Sequence, residues 1–347
     1  MTFTGTGKLF GALPDAKLFD PQSGTVVRTP QHSAHGWWAG APTASFDPAS
    51  STFYLVYRQR QPRELGRGVE CRIAASADGV NFEDIWALPK TSVDAQSIER
   101  CSLVRSLSEP LWRLYISWVS PSDGRWRIGV MEATEPDGFA ASSLREILTA
   151  ETTGTDGVKD PNVYTIGGMY YMLLSYAVKL ENTSDQHEEA SKHASGDIYN
   201  TGLTLSRSAA AVSTDGVHFQ MIGDVSPLPG SQLISPIPIT EKPGRWDYYC
   251  RRVGTIMPLS AGGYVALYDG SASVGENYEE RCGAAFTADL RTFYSLSPDG
   301  PIVESGEGTG SVRYVDLLPV GHEVFCYYET ARQDGSHDLC VSVSELP

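Results

Sequence analysis

A turn of one kind returns three times along the chain, and it limits the fold more than any other feature. Ser76, Asp78, Gly79 and Phe82 recur as Ser213, Asp215, Gly216 and Phe219, and in looser form as Thr287, Asp289 and Phe293. Asp-Gly supplies positions that tolerate positive φ, so the turns read as tight connections between strands. Related blocks precede them: a strand opening with charged or small residues, a turn, then an aromatic strand. Five such blocks begin near Gly40, Ser97, Lys159, Tyr249 and Ser311. Residues 99 and 160, like residues 252 and 313, stand sixty-one positions apart, whereas the step from 160 to 252 is lengthened by an insertion.

About sixty residues holding four strands, five times over, predict an all-β chain folded as a five-bladed β-propeller of four-stranded antiparallel blades. One domain spans 1–347, with blades at roughly 37–90, 95–150, 157–225, 247–300 and 309–347. The last block ends after three strands, so an N-terminal strand around residues 17–20 or 25–28 is expected to close the ring. The 34 Gly, 21 Pro and 17 Tyr, with little helical periodicity, agree with short strands and tight turns.

The formal charge of −15 argues against nucleic acid as a partner, which needs excess basic surface to displace counterions. The N-terminus lacks a basic and then apolar leader, and no run is long enough for a membrane span. A soluble, cytoplasmic protein is expected, and nothing indicates its oligomeric state. The six cysteines are far apart and sit in apolar runs, which predicts reduced, buried thiols and no zinc site. No cofactor is expected and no spacing names a metal, although carboxylates of this number could hold a cation. The insertion, roughly Lys179 to Thr201, is polar enough to be a loop or lid, with His187 and His193 solvated.

In a propeller the first strand of each blade lines the central channel. Its start shares one face with the connection between strands two and three, so scattered charges converge there. Glu99, Arg100, Lys159, Asp160, Arg252 and Arg313 come from first-strand starts. Arg58, Glu70, Asp269, Glu279, Glu280, Glu329 and His337 come from the connections or the strands flanking them. Carboxylates and guanidinium forks bond hydroxyls in pairs, and Trp37, Trp38, Tyr57, Tyr278 and Tyr328 are available to pack on sugar faces. A carbohydrate is therefore the expected partner, and two carboxylates flanking a glycosidic oxygen would serve as acid and base.

Lys159-Asp160-Pro161 before a Gly-Tyr-Tyr hairpin, the Ser-x-Asp-Gly-x-x-Phe turns, and the Phe46-Asp47-Pro48 to Tyr54–Tyr57 strand pair resemble the five-bladed propeller glycosidases. These are the family 43 arabinanases and xylosidases, the fructosidases and the mannoside phosphorylases. The resemblance implies a glycoside hydrolase-like, inverting reaction in which Asp160 tunes the acid or stabilises the transition state. It also exposes two departures: Gly40-Ala41-Pro42 stands where relatives carry a catalytic Asp, and Arg251-Arg252 where they carry a Glu acid. Asp160, Glu99 and Glu280 are accordingly the catalytic candidates. Arg58, Glu70, Arg100, Lys159, Arg252, Asp269, Glu279, Arg313, Glu329 and His337 are the substrate-binding candidates. A phosphorylase, lyase or isomerase on the same scaffold, or a non-catalytic sugar-binding propeller, is the alternative.

Overall fold

The computed structural model describes residues 19–179, 191–228 and 244–346. After β1 (Thr25–Arg28), the strands form antiparallel groups in chain order. The first group is β2 (Trp38–Asp47), β3 (Thr52–Arg60), β4 (Gly68–Ser76) and β5 (Glu83–Pro89). The second is β6 (Ser97–Arg105), β7 (Trp112–Val119), β8 (Trp126–Ala133) and β9 (Arg145–Leu148). The third is β10 (Gly157–Ile166), β11 (Met169–Ala177), β12 (Ser206–Ser213) and β13 (Gln220–Asp224). The fourth is β14 (Cys250–Pro258), β15 (Tyr264–Ser271), β16 (Arg281–Thr287) and β17 (Tyr294–Ser295). The last comprises β18 (Val312–Val320), β19 (Glu323–Ala331) and β20 (His337–Glu345), and β20 pairs on its outer side with β1.

Apolar clusters fill the interface between each group and the next. Val56, Ile73 and Leu88 meet Ile98, Leu114 and Met131, and Tyr115 and Val130 meet Val158 and Met172. Leu173 and Ala210 meet Val253 and Tyr268, and Leu267 and Cys282 meet Val315 and Cys326. A further cluster joins Tyr327, Leu339 and Val341 of the last group to Leu55, Tyr57 and Phe82 of the first. All six cysteines are buried and free, as their apolar surroundings require.

The recurring turns have a common build. Ser76 Oγ accepts from the backbone of Asp78 and Gly79, while Asp78 Oδ1 accepts from Val80 and Asn81. Ser213 with Asp215, and Thr287 with Asp289, repeat the same four contacts. Gly79, Gly216 and Leu290 hold the left-handed position, at φ 73, 77 and 59°. A tyrosine from a neighbouring group donates its hydroxyl to the carbonyl of each: Tyr327 to Gly79, Tyr115 to Gly216 and Tyr171 to Leu290. The turns thus fasten one group to another, a role that local sequence does not reveal.

The start of each inner strand is the other repeated feature. The ladder between β2 and β3 slips between Gly40 and Thr43, and equivalent bulges fall at Ile98/Cys101, Lys159/Asn162, Val253/Thr255 and Arg313/Asp316. Three residues in these bulges, Ala41, Asp160 and Tyr314, have φ of 51, 58 and 51°. A bulge re-aims its side chain and leaves a backbone group unpaired. Side chains from the neighbouring group satisfy these amides: Glu329 accepts from Ala41, Ser117 from Asp160, Ser208 from Val253 and Asp269 from Tyr314.

Tyr115→Phe, Tyr171→Phe and Tyr327→Phe should each lower unfolding free energy by about 1 kcal/mol, because each strips one bond from a buried turn carbonyl. The sites are far apart, so the triple variant should lose close to the sum. Urea denaturation measures this, and three neutral variants would remove the tyrosines from the account of the interfaces.

Candidate functional site

Cross-strand pairing sets the charges facing the funnel. Arg252 of β14 lies opposite Asp269 of β15, and Arg313 of β18 lies opposite Glu329 of β19. Arg252 donates to Asp269 at 2.8 and 2.9 Å and to Glu280 at 3.2 Å. Arg313 donates to Glu280 at 2.7 Å and to Glu329 at 2.7 and 2.9 Å. In the first group Gly40 faces Arg58, and Arg58 reaches outward to Glu99 on one side and to Glu329, 3.3 Å away, on the other. Lys159 lies 3.0 Å from Asp160, which is 3.6 Å from Arg252. The result is an alternating belt: Glu99, Arg58, Glu329, Arg313, Glu280, Arg252, Asp160 and Lys159. All eight side chains are buried.

This belt sets the protonation states. Burial raises the carboxyl pKa of Glu99, but Arg58, Lys159 and Arg60 outweigh it and hold the group at about 2. Burial likewise opposes Arg252 and Arg313 at Glu280, which ends at about 2, and Arg313 and Arg58 at Glu329, which ends well below the ordinary range. Asp269, where burial prevails over Arg252, is shifted upward instead. The three glutamates are therefore ionised at neutral pH.

Tyr314 occupies the middle of this arrangement. Arg58, Arg252 and Arg313 lie 5.8, 4.1 and 5.2 Å from its ring centroid, and its hydroxyl accepts from Lys159 at 3.4 Å. Trp38 stacks on His337 at 4.4 Å, and His337 links Glu329 at 2.8 Å to Glu279 at 3.2 Å. Asp160 is 4% exposed, and neither of its carboxylate oxygens finds a hydrogen bond beyond the ion pairs.

The funnel is closed in this conformation. Glu99, Lys159, Arg252, Glu280, Arg313 and Tyr314 line a cavity of only ≈10 Å³, room for about one water. Residues 191–204 form the cover. Asp197 meets Arg67 at 2.9 Å, Arg63 at 3.4 Å and the hydroxyl of Tyr278, while Tyr199 donates to the carbonyl of Gly157. Asn277 donates to Tyr199 and Asn200. Part of the insertion is thus core: Ile198 and Tyr199 pack with Val119, Trp126 and Ala177. His193 is buried rather than solvated, a correction to the sequence expectation, because this stretch carries its own apolar residues. His187 lies outside the described residues.

Three further expectations are corrected. Glu70 stays away from the belt, on the face of β4 that carries Arg72, which it accepts from at 2.8 Å. Arg100 is buried on the axis instead, donating to the carbonyls of Pro42 and Gly254 at 3.0 and 2.7 Å and meeting Asp316 at 3.3 Å. Tyr57 and Tyr328 belong to apolar clusters, since strand alternation turns them away from the funnel. Sequence reasoning missed Tyr314, Asp197, Tyr199 and the stacking of Arg60. Of these, only Tyr314 had a readable signal, because it follows Arg313 as Asp160 follows Lys159.

A larger cavity, ≈850 Å³, opens at the other ends of the inner strands between Phe46, Leu103, Val163, Ile256 and Leu317. Its only buried carboxylate, Asp316, is already engaged by Ala44, Arg100 and Asn162. Among the described residues, no group of three or more His, Cys, Asp or Glu is placed to hold a metal ion, and no helix is long and apolar enough to cross a membrane.

No protein-family model matches the chain, and no curated protein does. Solved structures do. A glycoside hydrolase superposes with TM-score 0.66 at 11% identity, covering 100% of this chain and 96% of its own. The RS223 β-xylosidase gives 0.62 at 12%, covering 92% and 95%. The GH43_1 enzyme from Xanthomonas citri, complexed with xylotriose, gives 0.60 at 14%, covering 92% and 90%. The chain has the fold of the propeller glycoside hydrolases. In this propeller fold, the two departures read from the sequence acquire a shape. A Cβ on Gly40 would lie 1.9 Å from Glu329 Oε2, so Gly40 leaves the space that the Glu329 carboxylate occupies. Glu280 in turn lies against Arg252.

Two outcomes test the belt and its cover. The glutamates have folded-state pKa values below their unfolded value of 4.5, so the stability they contribute is present above that pH and lost as pH falls toward about 2. The melting temperature should be flat from pH 8 to 5 and fall steeply below about 4.5; an unchanged melt at pH 3 would contradict ionised, paired glutamates. Asp197→Ala should raise amide hydrogen exchange in residues 191–204 by about ten-fold or more while the strands keep their protection. Unaltered exchange would mean that the cover is held by other contacts.

Proposed function

We propose that the five antiparallel groups are blades of one closed five-bladed domain, with β1 completing the last blade, and that its funnel cleaves a glycosidic bond. The observation that carries the reading is Asp160, a buried carboxylate without a hydrogen bond, held at positive φ beside Lys159 and Arg252. Strained, buried carboxylates of this kind concentrate at functional sites. The substrate is a small glycoside or oligosaccharide, in keeping with the xylotriose complex of the Xanthomonas citri enzyme.

Asp160 stabilises positive charge developing on the sugar ring in the oxocarbenium-like transition state. Glu99 and Glu280 face the same cavity as acid and base. Ionised Glu280 or Glu99 is ready to take a proton from water. The other must first be protonated, which requires substrate to loosen its arginine contact, since that contact holds the proton off. Arg252 and Arg313 grip hydroxyls with whichever donors the carboxylates leave free.

A second reading is favoured by the same ionised glutamates. A funnel whose carboxylates are all matched by cations suits a carbohydrate-active enzyme that needs no carboxylic acid, or a sugar-binding propeller. Incubation with aryl glycosides and short oligosaccharides, with and without phosphate, separates these by product. Asp160→Asn should reduce kcat by about 10²-fold or more in a protein that still folds, with a lower melting temperature because buried Lys159 loses its carboxylate partner. Full turnover in that variant would remove Asp160 from the chemistry, and phosphate-dependent turnover would move the reaction to phosphorolysis.

A further inference from the structure

Around the funnel the described arginines and lysine have carboxylates, with one exception. Arg60, at the end of β3, is 2% exposed and forms no ion pair. Its guanidinium lies between two rings, 3.9 Å from the centroid of Trp38 and 4.2 Å from that of Tyr278. Stacking occupies the two faces of the planar cation and leaves its in-plane N–H groups available. Nε and one terminal nitrogen find no acceptor. Burial lowers the pKa of this guanidinium by more than Tyr278 and the more distant Glu99 raise it, the reverse of what happens at Arg58, Arg252 and Arg313, where paired carboxylates prevail.

The surroundings already accommodate one carboxylate. Arg60, Arg63 and Arg67 all come from the β3–β4 connection and its edge, and Asp197 of the cover is the carboxylate that Arg63 and Arg67 share. The hydroxyl of Tyr278, whose ring covers Arg60, holds the same carboxylate. This corner is cationic in a chain of net charge −15.

We propose that the funnel takes a sugar bearing a carboxylate, a uronic acid unit, and that Arg60 is the residue that binds that group. This rests on reading the funnel as a glycoside site. With both faces covered by rings, the guanidinium is approachable only along its edge. A carboxylate fits that approach through two parallel N–H···O bonds, and the Asp197 carboxylate already sits beside Arg67 and Arg63; phosphate and sulfate can use the same fork and are therefore separate arms of the test. Binding displaces the cover, because the closed cavity has no room for a sugar ring, and the ligand carboxylate then supplies the acceptor that Arg60 lacks.

The test is calorimetric binding of D-glucuronate and D-galacturonate against D-glucose and D-galactose, with glucose 6-phosphate and inorganic sulfate as separate arms. The wild-type protein should bind a uronate at least ten-fold more tightly than its neutral counterpart. Arg60→Gln should abolish that preference while leaving neutral-sugar affinity unchanged. Arg60→Lys, which keeps the charge and loses the fork, should weaken the uronate about ten-fold, and it serves if Arg60→Gln does not fold. Equal binding of uronate and neutral sugar, a preference that survives in folded Arg60→Gln, tighter binding of phosphate or sulfate, or no sugar binding at all would each overturn the proposal. Uronate binding through Arg60 without cleavage of any aryl glycoside would instead sink the hydrolytic reading and leave this one standing. A uronate preference that survives in folded Arg60→Gln, with aryl glycosides still cleaved, would do the reverse.

Discussion

The structure depends on the unpaired inner edge of each first strand. A strand edge with unmet N–H and C=O groups is a liability, and no further strand covers these inner edges among the described residues. Here side chains cover it. Arg100 donates to Pro42 and Gly254, and Asn162 adds a second bond to Gly254. Asp316 accepts from Ala44, Thr43 donates to Cys101, Ser102 accepts from Val163, and Thr255 accepts from Leu317. All five inner strands are therefore joined through polar side chains instead of a ladder. Removing one member, such as Asp316, would leave Arg100 as a buried charge without a partner, which is costly in a way that loss of a surface pair is not.

The same requirement brings chemistry to the funnel. Bulges leave amides at Ala41 and Tyr314 that only an acceptor from the neighbouring group can meet, and Glu329 and Asp269 supply it. Once these carboxylates are buried, each needs a cation, which Arg313 and Arg252 provide. Those cations in turn hold Glu280 ionised. A demand of backbone satisfaction thus becomes an electrostatic belt. Arg60 stands apart because two aromatic rings take the place of a counter-ion.

Much of this was legible in the sequence, and for definite reasons. The Ser-x-Asp-Gly turns could be read because their hydrogen bonds are local, within five residues of Ser76 or Ser213. Buried free thiols followed from apolar flanks. The convergence of Glu99, Lys159, Asp160, Arg252 and Arg313 followed from strand starts repeating at regular spacing, and that of Glu280 and Glu329 from the connections that share their face. What could not be read depends on contacts between distant segments. Arg100 and Arg252 look alike as strand-start arginines, yet the bulge turns one to the axis and leaves the other beside the funnel. Glu70 and Glu280 look alike as connection glutamates, yet alternation along β4 puts Glu70 beside Arg72. The polar composition around His193 concealed Ile198 and Tyr199, two residues on which the cover is anchored.

Tyr327 and Gly79 are bonded across 248 residues of chain, and they have company at that seam. Trp38 stacks on His337, the amide of Ala41 is met by Glu329, and β1 pairs with β20. During synthesis the first group leaves the ribosome long before these partners exist. It must wait with its inner edge and its Asp-Gly turn only partly bonded, while the second and third groups can dock on each other as they emerge. Half of the charged belt, Arg313 and Glu329 among it, is translated last. The charged belt is therefore complete only once the last group has met the first.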